Sequence, residues 1–151
     1  AERTNVLYNL GRCLREAGDT EAARDVLRQC VARAPDDGAA VKELALCLEA
    51  LGDDNLALDL LRAHVAKSPS DLDATYNLAA LLSKVGDHAT AAAHLAALLW
   101  REPLFVDAHV RLGLCKARLG DVDGARAAWR RAVDLDPNCA EARANLGLVT
   151  A

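Results

Sequence analysis

The segment LGDVDGARAAWRRAVDLDP, residues 119–137, decides the fold because its turn signals recur at a fixed interval along the chain. Its glycine–aspartate step and its closing proline each return every 34 residues. The glycines, each followed by aspartate, are Gly18, Gly52, Gly86 and Gly120, and the prolines are Pro35, Pro69, Pro103 and Pro137. A period of this length indicates a tandem array of helix–turn–helix units.

Apolar residues recur at helical spacing on both sides of each repeated glycine. In the first unit Leu7, Leu10 and Leu14 mark one helix, and Ala23 and Leu27 mark the next. We therefore predict an all-α solenoid of antiparallel helix pairs in a single repeat domain, residues 1–151. The predicted repeats are 4–37, 38–71, 72–105 and 106–139, with 140–151 as a partial fifth repeat or a capping helix.

The repeated turn residues each have a physical role. The glycine closes the first helix, because it adopts the left-handed conformation at little cost. The aspartate after it is placed to cap the second helix through its carboxylate. The proline ends the second helix, because it disfavours helical geometry in the residue before it. The predicted caps of the next unit's first helix are Asp36, Asp37, Ser70, Asp71 and Asn138.

The composition favours a protein partner over a nucleic acid or a membrane. The net charge is −4, and no basic block interrupts it. A mildly acidic chain is a poor electrostatic match for nucleic acid or for an anionic membrane surface. The most apolar stretch, Ala91–Trp100, is interrupted by His94 and is too short to insert into a membrane. The chain shows no signal peptide and begins without methionine, which suggests a piece of something longer.

Five cysteines, an odd number with no CxxC pair, predict free thiols instead of a disulfide framework. Cys13, Cys47 and Cys115 occupy one repeat position, where we expect small buried residues. Cys30 and Cys47 are the pair most able to meet on adjacent helices. Free thiols suit a reducing compartment, so we expect a cytoplasmic protein.

No catalytic or metal-binding pattern is present in the sequence. The four histidines, His64, His88, His94 and His109, lack ligand spacing among themselves and with the cysteines. We find no phosphate-binding loop, nucleotide fingerprint or nucleophile elbow. We therefore expect a protein that is not an enzyme, with no cofactor and no metal, and we expect no cavity in a packed array.

The pattern of the units resembles the tetratricopeptide repeat family. The first unit carries its signature as Tyr8–Gly11, Ala23, Leu27 and Pro35. The fourth unit carries Leu112-Gly113, Ala125, Trp129 and Pro137, and a fifth begins with Asn145-Leu146-Gly147. The leading tryptophan of the family is replaced by Leu7, Val41, Thr75 and His109. The resemblance implies a right-handed solenoid whose function is non-enzymatic protein–protein interaction.

The resemblance also implies that the first helices line a concave groove that binds a peptide or helical segment. Mapped onto this chain, the groove is polar, with basic and acidic residues roughly balanced. Tyr8 and Tyr76 are its aromatic anchors, because tyrosine offers a large rigid contact area and a hydroxyl group. The candidate partner-binding residues are Tyr8, Asn9, Arg12, Lys42, Tyr76, Asn77, Arg111 and Asn145.

Two binding mechanisms of the family suggest different roles for these residues. A carboxylate clamp, as in chaperone-binding members, is disfavoured because Asp107 places a negative charge where the bound carboxylate would lie. An asparagine ladder would use Asn9, Asn77 and Asn145, whose amides can hydrogen-bond a peptide backbone of any sequence. Glu43 and Arg111 interrupt that ladder, and the alternative is that asparagine is simply common at this repeat position.

One junction differs from the others because it is apolar. Trp100 lies in the last turn of a predicted helix, and Leu104 and Phe105 follow Pro103 where the other junctions carry polar residues. Trp100 and Phe105 either pack locally at the junction or, with Leu104, form a docking patch through which the chain self-associates. A homo-oligomeric assembly scaffold is therefore an alternative function. A third is the adaptor region of a larger enzyme such as a glycosyltransferase.

Overall fold

The computed structural model describes residues 2–150, with side chains described for residues 2–147. This part of the chain forms nine α-helices and contains no strand. The helices are α1 (Glu2–Glu16), α2 (Thr20–Arg33), α3 (Gly38–Ala50), α4 (Asp54–Lys67), α5 (Leu72–Lys84), α6 (His88–Arg101), α7 (Val106–Arg118), α8 (Val122–Leu135) and α9 (Ala140–Thr150). From α2 onward the helix starts recur with the 34-residue period. The predicted all-α solenoid of helix pairs is confirmed.

Each repeated glycine closes the first helix of its pair. The four glycines have positive φ angles between 83° and 95°, a region that only glycine enters at little cost. After α5, the Gly86 amide donates to the Ser83 carbonyl at 3.1 Å, and the Asp87 amide donates to the Leu82 carbonyl at 2.9 Å. The same pair of bonds follows α1, α3 and α7, so all four ends are Schellman motifs.

The aspartate after the glycine caps the second helix in three of the four pairs. The carboxylates of Asp19, Asp87 and Asp121 accept hydrogen bonds from amides of the first turn at 2.9–3.2 Å. The predicted cap at Asp53 is wrong, since its side chain makes no cap bond. Its ψ of 52° is well below the 68–78° of the other three, so its carboxylate misses the first-turn amides.

Each proline follows the end of a second helix, as predicted. The second helices stop two residues before the proline, and the intervening residue has φ between −128° and −137°. Of the predicted caps for the next first helix, Asp37 accepts from the amides of Ala39 and Ala40, and Asp71 accepts from that of Ala74. These two caps are confirmed. Phe105 occupies the equivalent place before α7, where its side chain makes no capping hydrogen bond.

The helices divide into two compact units, Ala1–Leu78 and Ala79–Ala151. The core of the first unit is made of small and aliphatic side chains from α2, α3 and α4. Its fully buried larger side chains include Leu27, Val41 and Leu61. Close helix packing is possible here because alanine and cysteine fill the positions between these larger residues.

The core of the second unit is centred on Trp129 of α8, which is only 4% exposed. Its indole Nε1 donates to the Val110 carbonyl at 3.1 Å, so the polar edge of the ring is satisfied inside the core. Gly113 lies opposite the ring on α7. A Cβ built at Gly113 would approach Trp129 Cδ1 to 2.6 Å, so any larger residue there would collide with the indole.

The expectation that the cysteines at the shared repeat position are all buried is wrong for Cys13. Cys47 and Cys115 are buried, whereas Cys13 is exposed. The residues equivalent to Val6, Leu10 and Cys13 on α3 are covered by the first helix pair, whereas none of the described helices covers this face of α1. All five cysteines are free, including Cys30 and Cys47. Burial raises the pKa of both these thiols.

Candidate functional site

The second unit contains an open cleft of about 350 Å³ beside the turn at Gly86. The end of α5, the start of α6 and one side of α7 enclose it. The residues that line it are Ser83, Lys84, Gly86, His88, Arg111, Leu114 and Arg118. The expectation that the array holds no cavity is therefore wrong beside this turn.

The helical repeat brings the cationic side chains of the cleft together. Arg111, Leu114 and Arg118 are spaced i, i+3 and i+7 on α7, so they share one face of that helix. Lys84 is 34 residues before Arg118, so it holds the same repeat position at the end of α5. The first helices of two consecutive repeats therefore present basic residues to the same cleft.

A small polar network forms the inner wall of the cleft. Ser83 is buried, and its Oγ lies 3.3 Å from Nδ1 of His88. The Cys115 thiol donates to the same oxygen at 3.6 Å. These contacts fix the serine hydroxyl and orient the imidazole at the first residue of α6.

Three of the side chains that line the cleft are basic, although the chain as a whole is acidic: those of Lys84, Arg111 and Arg118. None of the seven residues that line the cleft carries a carboxylate. The nearby Asp87 carboxylate accepts the Thr90 amide at 3.2 Å as the cap of α6.

Only one of the candidate partner-binding residues, Arg111, lines this cleft. Asn145 is half-buried on α9, and the other six candidates lie in the first unit. Lys84 and Arg118 also line the cleft, and both occupy positions that the family resemblance places on the groove side of the first helices. Gly86 and His88 had no such signal, because a turn glycine and the first residue of a second helix are not part of the pattern of the first helices.

On α1, the candidates form a small surface cluster. Tyr8 is half-buried, and the Arg12 guanidinium carbon lies 5.9 Å from the centre of its ring, within cation–π range. Arg12 also pairs with Glu16 at 3.4 Å, while Asn9 is exposed. This cluster offers an aromatic surface with a charged edge and an amide beside it.

Glu43, which interrupts the asparagine row, has a structural partner. Arg15 Nε of α1 donates to its carboxylate at 2.7 Å, and the Glu43 side chain is largely buried. The ion pair therefore connects α1 to α3, and the Glu43 carboxylate is not available to bind a ligand. In the same unit Tyr76 and Asn77 are half-buried on α5.

Lys42 is held by a network at the start of α5. Its Nζ lies 3.6 Å from Asp71 Oδ1, and the buried His64 donates to Asp71 Oδ2 at 2.9 Å. Burial alone would raise the pKa of Asp71, but the hydrogen bonds from His64 and from the Ala74 amide, with the Lys42 charge, lower it below its usual value. Asp71 thus stays ionised, and the Lys42 ammonium group forms an ion pair with it.

The apolar junction presents large side chains to solvent. Trp100 is 89% exposed and Leu104 is 63% exposed, whereas Phe105 is half-buried. The alternative that Trp100 packs locally at the junction is therefore wrong. His109, at the position of the family's leading tryptophan, donates through Nε2 to the Pro103 carbonyl at 2.8 Å and fixes the junction.

The described residues form neither a metal-binding group nor a membrane-spanning helix. Among the side chains described, no group of three or more His, Cys, Asp or Glu residues is placed to hold a metal ion. None of the described helices combines the length and the apolar character that crossing a membrane requires.

Comparison with sequence families gives one clear match. The model of the tetratricopeptide repeat matches residues 7–71, 76–138 and 116–150, which together span most of the chain. No curated protein matches the sequence.

Several solved structures share the fold. Residues 41 to the end of MamA from Desulfovibrio magneticus RS-1 superpose with a TM-score of 0.89 at 23% identity, covering 99% of this chain and 85% of that one. YrrB, described as a TPR protein with an unusual peptide-binding site, gives 0.82 at 21%, covering 93% and 73%. Pseudomonas aeruginosa PilF gives 0.87 at 18%, covering 98% and 68%. At these identities the similarity establishes the fold alone.

Proposed function

Because the chain belongs to the tetratricopeptide repeat family, we propose that it is a non-enzymatic interaction scaffold that binds a peptide or helical segment of a protein partner. The binding surface is formed by the first helices of the repeats. The observation that carries the proposal is the cleft beside α7, where side chains from two consecutive first helices line one open space. Ligands commonly bind at preformed concave surfaces that carry a few well-placed polar groups.

The surface of the first unit supports the same function. Tyr8 and Tyr76 are half-buried, so each ring is anchored in the fold while part of it stays available to a partner. Rigid aromatic side chains of this kind supply much of the binding energy at protein interfaces. Peptide binding is described for YrrB, and we extend that class of function to this chain.

The test is selection of peptides from a displayed library by the purified chain, followed by titration of the selected peptides. The triple variant Tyr8→Ala, Tyr76→Ala, Asn77→Ala should weaken selected peptides by about 2–4 kcal/mol, from two aromatic anchors and one hydrogen bond. A matched control, Gln29→Ala, Arg33→Ala, Lys67→Ala, changes exposed residues of the second helices and should leave the affinity unchanged.

Circular dichroism distinguishes loss of binding from loss of folding. We expect both variants to fold, because all six changed residues lie outside the buried core. If the triple variant binds every selected peptide as tightly as the parent chain, this surface of the first helices is not the binding surface. If no peptide is enriched at all, the scaffold function itself is wrong.

A second candidate function is self-association through Trp100 and Leu104. The exposure of Trp100 favours it, because a nearly fully exposed tryptophan is unusual unless it meets a partner. Trp100 and Leu104 lie next to the junction fixed by His109, so the patch is presented from an ordered turn. A second copy of the chain is then the partner.

A further inference from the structure

We propose that two copies of this chain associate by pairing their α6 helices antiparallel, along a solvent-exposed face of α6 that ends in Trp100. This inference rests on self-association, the second candidate function, and adds the surface and its geometry. The whole of α6 and the turn that follows it belong to the second compact unit.

The exposed face of α6 is apolar along its length. It lies opposite the buried side chains of Ala91, Leu95 and Leu98, which pack into the core. The turn after the helix adds Leu104, which is 63% exposed. The exposed residues of the face itself are four alanines and the tryptophan, Ala89, Ala93, Ala96, Ala97 and Trp100.

The equivalent face of the other second helices is also exposed, but it carries charged residues. On α2 the face includes Asp25 and Arg28, and on α4 it includes Asp59 and Arg62. On α8 the charged residues are Asp123, Arg130, Arg131 and Asp134. A helix face that stays in water usually carries charged and polar side chains. The face of α6 is therefore the one among these four that is suited to burial.

This face is complementary to itself, and for that reason the partner is a second copy. Its large residue lies at the C-terminal end, and its N-terminal half is made of small residues. The spacings from Ala89 to Ala93, Ala96 and Trp100 are four, three and four residues. In an antiparallel pair with two-fold symmetry, Trp100 of each copy therefore covers Ala89 of the other, and Ala93 lies beside Ala96 of the other. A parallel pair would instead press the two tryptophans together.

The energetics favour a weak but specific pair. Alanines allow helix axes to approach to about 8 Å, and antiparallel helices oppose their dipoles. No charged residue of the face has to lose its water. Covering Trp100 buries about 200 Å². With Leu104 and the alanines the pair buries on the order of 1,000 Å², which is the size of a transient interface.

The first experiment measures the mass of the full chain by light scattering over a range of concentrations. The parent chain should rise from one copy to two. The variant Ala93→Glu, Ala96→Glu places four carboxylates at the centre of the pair and should weaken association at least about tenfold. The control variant Ala63→Glu, Ala127→Glu adds the same charge at exposed alanines of α4 and α8 and should associate like the parent.

Mixing tests whether α6 faces α6. The variant Ala93→Lys, Ala96→Lys should also fail to associate alone, because its four cations repel one another. Mixed in equal amounts, the Glu variant and the Lys variant should form a one-to-one pair that salt weakens. Circular dichroism of both variants should match that of the parent, since the changed residues are exposed.

Cysteine cross-linking under mild oxidation tests the orientation, in a chain that also carries Cys13→Ser to remove the exposed native thiol. A chain with Ala93→Cys should cross-link to a chain with Ala96→Cys faster than either does to its own copy. A chain with Ala89→Cys should not cross-link to its own copy, because eleven residues separate Ala89 from Trp100 and place the two thiols about 16 Å apart along the helix axis.

Four results would overturn the inference. A mass that stays constant for the parent chain removes self-association together with the pairing. If the parent associates and the Glu variant associates equally well, self-association stands and only the α6 surface is wrong. Rapid cross-linking of Ala89→Cys to its own copy shows that the helices are not antiparallel. If the chain stays monomeric and phosphatidylcholine vesicles shift its tryptophan emission to the blue, but not that of Trp100→Ala, the face binds lipid instead.

Discussion

At the scale of single residues, Gly113 shows how tightly α7 and α8 pack. The Trp129 ring lies against its Cα, and the ring is held in place by the bond from its Nε1 to the Val110 carbonyl. A side chain at residue 113 therefore cannot be accommodated by turning the indole away. The family pattern predicted a glycine at this position, but only the structure shows that Trp129 requires it.

Substitution of this glycine tests the packing. Gly113→Ala should lower the free energy of unfolding by about 1–2 kcal/mol, because overpacking outweighs the helix-propensity gain of about 1 kcal/mol. Gly147→Ala is the matched control, since a Cβ there meets nothing within 4 Å. It should raise stability by up to about 1 kcal/mol. Urea unfolding measures both, and equal effects of the two changes would show that Trp129 can yield.

At the scale of the helices, the repeated Gly–Asp step sets both ends of each turn. The glycine ends one helix, and the aspartate caps the next in three pairs out of four. These ends were predictable because glycine and proline act through local backbone sterics. The missing bond at Asp53 was not, because it depends on a backbone angle that differs by only about 20° from that of its equivalents.

The contribution of the capping hydrogen bond to stability can be measured by comparing Asp121, which makes this bond, with Asp53, which does not. Asp121→Ala should destabilise the protein by about 1 kcal/mol, the usual cost of removing a capping bond. Asp53→Ala should cost clearly less, because no such bond exists in the structure. Both changes remove one negative charge near a helix start. Thermal unfolding compares them, and an equal loss would assign the effect to charge alone.

At the scale of the whole molecule, the period predicted the helices but not the cleft. Lys84 and Arg118 share a repeat position, yet sequence spacing does not tell which positions of two helices face one open space. That depends on the packing of the end of α5, the start of α6 and one side of α7, which the structure shows. Likewise, the sequence indicated that Trp100 is unusual. Only the packing of the chain shows that this side chain is 89% exposed.

Self-association is a property of the whole molecule that Trp100 should control. If the patch mediates it, the mass from light scattering rises with concentration for the parent chain. Trp100→Ala should then weaken association by about 2 kcal/mol or more, as expected for a tryptophan anchor. Leu56→Ala, a change at another exposed apolar residue, should leave it intact. A mass that is constant with concentration for the parent chain rules out this function.

Both tryptophans, Trp100 and Trp129, belong to the second compact unit, and the first unit has none. Tryptophan fluorescence, excited at a wavelength that tyrosine does not absorb, therefore reports only the second half of the chain, whereas far-ultraviolet dichroism reports every helix. Repeat arrays need not unfold in one step, because each repeat contacts only its neighbours. Two spectra recorded in one denaturation experiment thus separate the melting of one half from that of the whole, with no added label.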